Sequence, residues 1–266
     1  MLVVIKGAGD LASGIALRLF HAGFDVVMTD LPNPLAIRRT VAFCEAIRDG
    51  EITIEDVTAK YAVTSDDVFS VLKAGCIPVL ADPEAEIVRK IKPDVVVDAI
   101  LAKKNLGTTI EDANIVIGVG PGFCAKKDCH AVIESMRGHT LGRAIYEGEA
   151  LPNTNIPGLI GGFAGERVLR APDTGVMETV RNIGDIVKTG DVIGYVNGKP
   201  MLSTIDGVLR GLIADGTPVK EGLKSGDVDP RGNVEYCTLV SDKALAIAGG
   251  VLEAILKLDK ERKIHE

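Results

Sequence analysis

The sequence predicts an α/β protein: a doubly wound parallel sheet, then a small all-β module, then a C-terminal helix. Two observations predict this class. Up to about residue 120, short β-branched runs alternate with helical stretches, as expected for parallel strands joined by crossover helices. From about residue 158, a glycine-rich repeat replaces the helical pattern. We expect domains at 1–157 and 158–232, with a strand and helix at 233–266 packing on the rest.

The first domain alternates candidate strands with candidate helices. The run Leu2–Lys6 is typical of a strand that is buried on both faces of a parallel sheet. The helices show apolar residues at helical spacing, as at Leu11, Ile15 and Leu19. The predicted strands are Leu2–Lys6, Asp25–Asp30, Cys76–Ala81, Asp94–Ala99 and Asn114–Val119, and the predicted helices are Leu11–Ala22, Asp66–Ala74 and Pro83–Ile91.

The second half contains an internal repeat. Identical residues recur 32 positions apart, as at Gly175 and Gly207. Over about Val168 to Gly226 the pattern resembles the biotinyl/lipoyl-type barrel-sandwich module. That family modifies a lysine in an exposed turn, whereas here Lys199 is followed by proline. We therefore expect an unmodified module, without covalently bound biotin or lipoate.

Composition excludes several classes of function. The 266 residues contain 30 Lys+Arg and 37 Asp+Glu, a net charge of −7, which argues against nucleic-acid and anionic-membrane partners. Aromatic residues make up 4% and tryptophan is absent, which disfavours base stacking. The five scattered cysteines are typical of reduced thiols. With no signal peptide or membrane span recognised in the sequence, we expect a cytoplasmic protein.

A glycine loop follows the first predicted strand and opens the first helix. Its pattern, G-x-G-x-x-A, is typical of dinucleotide-binding loops in this context. Asp30 ends the second predicted strand, where a carboxylate binds ribose hydroxyls and disfavours a 2′-phosphate. The candidate cofactor-binding residues here are Gly7, Ala8, Gly9, Asp10, Leu11, Ala12 and Asp30. Two alternatives remain: the glycines form a tight connection only, or Asp10 caps the helix and opposes a phosphate.

A second glycine loop follows the strand ending at Val119. Its residues Gly120, Pro121, Gly122 and Phe123 lie where open α/β sheets bind ligands. We interpret them as further cofactor-binding residues. The loop 137–143 adds two arginines and a histidine and is predicted to bind a phosphate or a pterin phosphate.

Three residues after this loop are candidate catalytic residues: Cys124, Cys129 and His130. We predict a helix over Cys129–Met136 that is capped by Asp128. Its N-terminus and the nearby lysines would lower the pKa of Cys124 or Cys129 and make that thiol reactive. Half-buried, unreactive thiols are the alternative. The spacing lacks the paired C-x-x-C of structural zinc sites, and we expect no metal.

Four segments together resemble one family: Lys6–Gly14, Arg38–Ala46, Gly120–Phe123 with Asp128, and Arg137–Arg143. They resemble the accessory family of the selenium-dependent molybdenum hydroxylase system. The first domain is similar to the Rossmann part of xanthine dehydrogenase accessory proteins. The resemblance implies a maturation factor that binds an NAD-like dinucleotide or a molybdopterin-type cofactor and assists selenium, sulfur or cofactor insertion. It also implies a molybdenum hydroxylase client as partner, and a homo-oligomer is compatible with it.

Two other functions remain open from the sequence. An NAD-dependent oxidoreductase would use His130 or His139 as its acid–base group. A non-catalytic carrier or docking protein would be built around the repeat module. No Ser-His-Asp or paired-carboxylate pattern can be assembled from the spacing, so the sequence leaves open whether the protein is an enzyme.

Overall fold

A computed structural model describes residues 1–154 and 158–265. The chain forms two compact units: unit 1 comprises Met1–Pro34, Phe43–Thr154 and Val240–Glu266, and unit 2 comprises Leu35–Ala42 and Asn155–Leu239. The predicted domain boundary after residue 157 falls on 155–157, outside the described residues. None of the described helices is long and apolar enough to cross a membrane.

Unit 1 contains the strands and helices that were predicted for the first half, together with additional ones. In chain order its elements are β1 (Leu2–Lys6), α1 (Asp10–His21), β2 (Asp25–Asp30), α2 (Glu45–Asp49), β3 (Glu51–Ile54), β4 (Val57–Tyr61), α3 (Asp67–Lys73), β5 (Ile77–Ala81), α4 (Ile87–Ile91), β6 (Val95–Asp98), β7 (Ile115–Val119), β8 (Cys124–Ala125), β9 (Ala131–Ile133), β10 (Ala144–Ile145), β11 (Gly148–Glu149) and α5 (Asp242–His265).

The main sheet of unit 1 is mixed. Its nine strands lie in the order β10-β9-β7-β6-β1-β2-β5-β4-β3. The strands from β9 to β4 are parallel to their neighbours, whereas β10 and β3 are antiparallel. β6 and β7 are buried along their whole length, which explains their continuous apolar sequences.

The predicted Rossmann-like doubly wound parallel sheet is therefore wrong as a description of unit 1. Besides the two antiparallel edges, the connection from β6 to β7 has no helix among its described residues, and neither has the connection from β7 to β9. The β6–β7 connection runs through Asn105, Gly107, Thr108 and Thr109, whose side chains favour turns over a helix. The hairpin of β3 and β4 was missed because its strands are short and partly polar.

The C-terminal helix packs within unit 1 at glycines. A Cβ added to Gly250 would lie 1.9 Å from the carbonyl oxygen of Gly142, and one added to Gly14 would lie 2.6 Å from Cβ of Ala244. α5 therefore approaches both α1 and the loop before β10 at positions where a side chain has no room. Of the adjacent pair Gly249 and Gly250, only Gly250 has this close contact, because nothing lies within 4 Å of a Cβ added to Gly249.

Unit 2 is β-rich. Its strands are β12 (Val168–Arg170), β13 (Gly175–Thr179), β14 (Ile186–Val187), β15 (Val192–Val196), β16 (Lys199–Leu202), β17 (Gly207–Leu212), β18 (Pro218–Val219) and β19 (Lys224–Asp229). The 32-residue repeat relates β13, β14 and β15 to β17, β18 and β19 in turn.

Unit 2 has two four-stranded antiparallel sheets, ordered β12-β19-β17-β14 and β16-β15-β13-β18. Each sheet takes a short strand from the other repeat, because β14 pairs with β17 and β18 pairs with β13. The predicted small barrel-sandwich module at 158–232 is therefore wrong: unit 2 consists of these two antiparallel sheets and also includes Leu35–Ala42, whose Ile37 carbonyl accepts the N–H of Leu212. Lys199 lies at the start of β16 and forms an ion pair with Asp173 at 3.0 Å.

Candidate functional site

The glycine loop of unit 1 lies at the point where the sheet changes direction. β1 pairs with β2 on one side and with β6 on the other. The chain leaves β1 through α1 to β2 and returns to the other side of β1 only at β6. In open α/β sheets the crevice outside the carboxyl ends at such a point is where ligands bind.

The two glycines of this loop have different surroundings. Gly7 has a φ of +94°, and a Cβ added there would lie 3.0 Å from the carbonyl oxygen of Ala99. Gly9 has an extended backbone, and nothing lies within 4 Å of its added Cβ. Gly7 is thus required by the turn and by the chain after β6, whereas the face of Gly9 is open.

Asp30 holds the glycine loop in place. Its Oδ2 accepts the N–H of Ala8 at 2.7 Å, and its Oδ1 accepts the N–H of Leu31 at 2.7 Å. Burial raises the pKa of the Asp30 carboxyl above its ordinary value, and these two N–H donors oppose that rise. Each carboxylate oxygen retains a second lone pair for a ligand hydroxyl. The bond to Ala8 was not foreseen from the sequence.

The start of α1 is also internally bonded. Asp10 Oδ1 accepts the N–H of Leu11 at 2.9 Å, and Gly9 at the N-cap position has no side chain that could accept from the first helical N–H groups. Ala12, one of the candidate cofactor-binding residues, is buried.

A buried polar network, missed by the sequence analysis, lies beside the loop. Lys6 Nζ donates to Thr108 Oγ1 at 2.9 Å and to Asp112 Oδ2 at 3.1 Å. Thr108 Oγ1 in turn donates to Asp98 Oδ2 at 2.6 Å, and burial raises the pKa of the Asp98 carboxyl. The network ties the β6–β7 connection to the end of β1. A lysine that ends an apolar strand was the available signal, because a buried ammonium requires acceptors.

The second glycine loop lies at the same edge of the sheet, two strands from β1, or about 10 Å across. A Cβ added to Gly120 would lie 2.7 Å from Ser135 Oγ, and one added to Gly122 would lie 2.7 Å from the backbone of Lys104. The ring of Phe123 packs on Gly118 and is buried. In this loop the glycines and Phe123 are used for packing within the chain; Pro121 is half-buried.

The candidate catalytic residues do not lie at the carboxyl ends of the strands, where the two glycine loops are. Cys129 and His130 precede β9, and His130 Nδ1 accepts the N–H of Val116, near the start of β7. Measured across the strands, β9 lies three strands, or roughly 14 Å, from β1. Cys124 lies in β8, which pairs with β11 in a separate two-stranded sheet, and it is half-buried.

The predicted helix over Cys129–Met136 is wrong, because this stretch contains β9. Asp128 Oδ2 accepts the N–H of Cys124 at 2.9 Å and closes a turn instead of capping a helix. Without a helix N-terminus, burial dominates at Cys129 and raises its pKa to about 11. Burial, followed by the charge of Arg262, lowers the pKa of His130.

The arginines predicted to bind a phosphate have partners within unit 1. Arg137 forms a bidentate ion pair with Asp242, in which its two terminal nitrogens donate to the two carboxylate oxygens at 2.9 and 3.0 Å. Arg143 Nε donates to the carbonyl of His139 at 3.3 Å. Among the described residues no group of three or more His, Cys, Asp or Glu side chains is arranged to hold a metal ion.

Comparisons with known proteins return one curated sequence relative at a significant level and no matching family model. The relative is "Uncharacterized protein YqeB" from Escherichia coli (strain K12), 52% identical over 257 residues, covering 97% of this chain and 48% of the relative. The chain thus spans about half the length of the curated relative that it matches.

Two solved structures illustrate the structural matches. A succinylglutamate desuccinylase/aspartoacylase from Rhodobacter sphaeroides is 23% identical, with a TM-score of 0.21 over 24% of this chain and 22% of that one. An aspartoacylase family protein from Mesorhizobium loti is 11% identical, with a TM-score of 0.28 over 85% of this chain and 83% of that one. Superpositions at these TM-scores transfer neither a fold nor an activity.

These comparisons overturn the family prediction. No family model matches, and neither the sequence relative nor the structural matches bear a molybdenum hydroxylase name. The resemblance to molybdenum hydroxylase accessory proteins, the selenium and cofactor-insertion role, and the hydroxylase client as partner are therefore withdrawn. The oxidoreductase and carrier alternatives receive no support either.

Proposed function

We propose that unit 1 binds a nucleotide or nucleoside in the crevice outside the carboxyl ends of β1, β2 and β6. The open face of Gly9 carries this proposal, since nothing lies within 4 Å of a Cβ added there. Gly7, two residues earlier, is enclosed, so the open glycine of this loop is the second one, which a ligand approaches in such loops.

Two further observations support the same site. The crevice lies at the switch point between β2 and β6, the position that open α/β sheets use for ligands. Asp30, at the end of β2, is held rigidly by two backbone N–H groups, and its remaining lone pairs suit ribose hydroxyls. The residues that would bind the ligand are Gly9, Asp10, Leu11 and Asp30.

Calorimetry tests the proposal. The full chain is titrated with adenosine, guanosine, their diphosphates and NAD, and we expect at least one to bind. Gly9→Val should weaken that binding at least about tenfold, because the valine side chain fills the open space. The fold should persist, since the backbone of Gly9 suits any residue.

Gly249→Val serves as the matched control, because an added Cβ there also meets nothing within 4 Å and the residue lies on α5. It should bind like the parent chain. If no titrant binds the parent, or if folded Gly9→Val binds as the parent does, the proposed site is wrong.

We also infer that the protein works in the cytoplasm. All five cysteines are free thiols, the state that a reducing compartment maintains. Mass analysis of thiols alkylated in intact producing cells would test this, since a disulfide in the recovered protein contradicts it.

A further inference from the structure

We infer that the ligand group lying against the glycine loop carries no phosphate, so that the ligand is a nucleoside with a neutral or cationic 5′ substituent. The inference rests on the proposed function and names the chemical class for that same site. Its basis is the hydrogen bonding of the loop amides and the identity of the groups that already accept from them.

Loops that bind phosphate do so by presenting backbone N–H groups to the anion. Here the N–H groups of Ala8 and Leu11 already donate to carboxylates of the chain itself. Asp30 accepts from Ala8 at 2.7 Å, and Asp10 accepts from Leu11 at 2.9 Å.

A phosphate could reach the Ala8 and Leu11 amides only by displacing these carboxylates. The displaced carboxylates, Asp10 in the loop and Asp30 at the end of β2, would remain within a few ångströms of the incoming anion, and like charges at that distance repel. The nearby ammonium does not compensate, because Lys6 Nζ is bonded to Thr108 and Asp112 at 2.9 and 3.1 Å. The loop is thus a poor site for a pyrophosphate.

The same arrangement suits other groups. Asp30 can accept ribose hydroxyls without releasing Ala8, since each oxygen has a second lone pair. The open face of Gly9 leaves space against the loop for the 5′ substituent. A sulfonium or ammonium there would face a carboxylate, and a thioether or hydroxyl would meet no repulsion.

Calorimetry with four probes at fixed salt tests the inference: S-adenosylmethionine, adenosine, ADP and NAD. We expect S-adenosylmethionine and adenosine to bind, and ADP to bind at least about tenfold more weakly than adenosine, the effect of one strong hydrogen bond lost to competition. Asp10→Ala frees the Leu11 amide and removes one carboxylate. It should raise the affinity for ADP relative to adenosine at least about threefold.

Asp25→Ala is the matched control, because Asp25 lies exposed at the opposite end of β2. It should leave the ratio of the two affinities unchanged. If ADP or NAD binds more tightly than adenosine, or if Asp10→Ala leaves the ratio as in the control, the inference is overturned while nucleotide binding at this site stands. If none of the probes binds, the proposed function and the inference both fall.

Discussion

Two glycine loops end strands of the same sheet, and they use their glycines differently. In the first loop, Gly9 faces open space while Gly7 is enclosed. In the second, the faces of both Gly120 and Gly122 are filled by the chain, by Ser135 and Lys104 respectively. A glycine at the end of a parallel strand therefore indicates that something approaches the backbone closely, but the sequence pattern does not distinguish a ligand from another part of the chain.

The largest expected effect concerns the second loop. Gly122 has a φ of +110°, and its added Cβ would lie 2.7 Å from the backbone of Lys104. Gly122→Ala should lower the free energy of unfolding by about 3 kcal/mol, from backbone strain and overpacking together. Urea unfolding of the full chain measures it.

Gly75→Ala separates the two causes. Gly75 also has a positive φ, +71°, but nothing lies within 4 Å of its added Cβ. Gly75→Ala should therefore lower the free energy of unfolding only through backbone strain, by about 1 kcal/mol. Equal losses in the two variants would show that Gly122 is not a packing position, and the contrast between the loops would disappear.

The next effect concerns the thiols that follow the second loop. With its pKa at about 11, against 9.0 for an ordinary thiol, Cys129 forms about a hundredfold less thiolate near neutral pH. Iodoacetamide should therefore label the half-exposed Cys124 at least tenfold faster than Cys129. Peptide mass analysis over time measures the two rates.

Urea-unfolded protein provides the control, in which the two thiols should react at similar rates. Burial also raises the pKa of Cys44, so that thiol should be slow in the folded protein. Labelling of Cys129 as fast as Cys124 would mean that the segment after the second loop opens in solution, contrary to its packing here.

The third effect tests Asp30 in the first loop. Asp30→Ala removes a charged acceptor for the ligand and should weaken nucleoside binding by about 1–3 kcal/mol. Asp30→Asn keeps an acceptor for the N–H of Ala8 and should weaken nucleoside binding less than Asp30→Ala does. Asp25→Ala, at the other end of the same strand, should bind like the parent. Unchanged binding by a folded Asp30→Ala would limit Asp30 to holding the loop.

The sequence predicted much of unit 1 because its signals are local. The apolar runs place β1, β2, β5, β6 and β7 within one or two residues of their observed ends. The glycine pattern and Asp30 also fall together at one edge of the sheet, as expected. Each of these features depends on residues a few positions apart.

What the sequence could not predict depends on distant partners. Cys129 and His130 were expected at a helix N-terminus, but pairing with β7 makes β9 from the residues that follow. Lys6 meets Thr108 and Asp112 more than a hundred positions away. The role of Gly122 also depends on a residue outside its own loop, because the backbone of Lys104 fills the space beside it.

The smallest effect concerns the pH dependence of the free energy of unfolding, to which buried groups at the two ends of the parallel strands contribute with opposite sign. Burial lowers the pKa of His130 below its ordinary value of 6.5, so the unfolded chain binds the proton more tightly than the folded one. The free energy of unfolding should therefore fall as the pH drops below 6.5, until His130 is protonated in the folded state too. Asp30 and Asp98 act in the opposite sense, because burial raises their pKa values.

A variant isolates the histidine from these carboxylates. His130→Asn retains an acceptor for the N–H of Val116 but does not titrate, whereas His139→Asn changes an exposed residue. Melting temperatures at pH 7.5 and 5.5 are compared for the parent and both variants. The parent and His139→Asn should lose more stability on acidification than His130→Asn, by on the order of 1 °C. Equal losses in all three would place His130 in water rather than against β7.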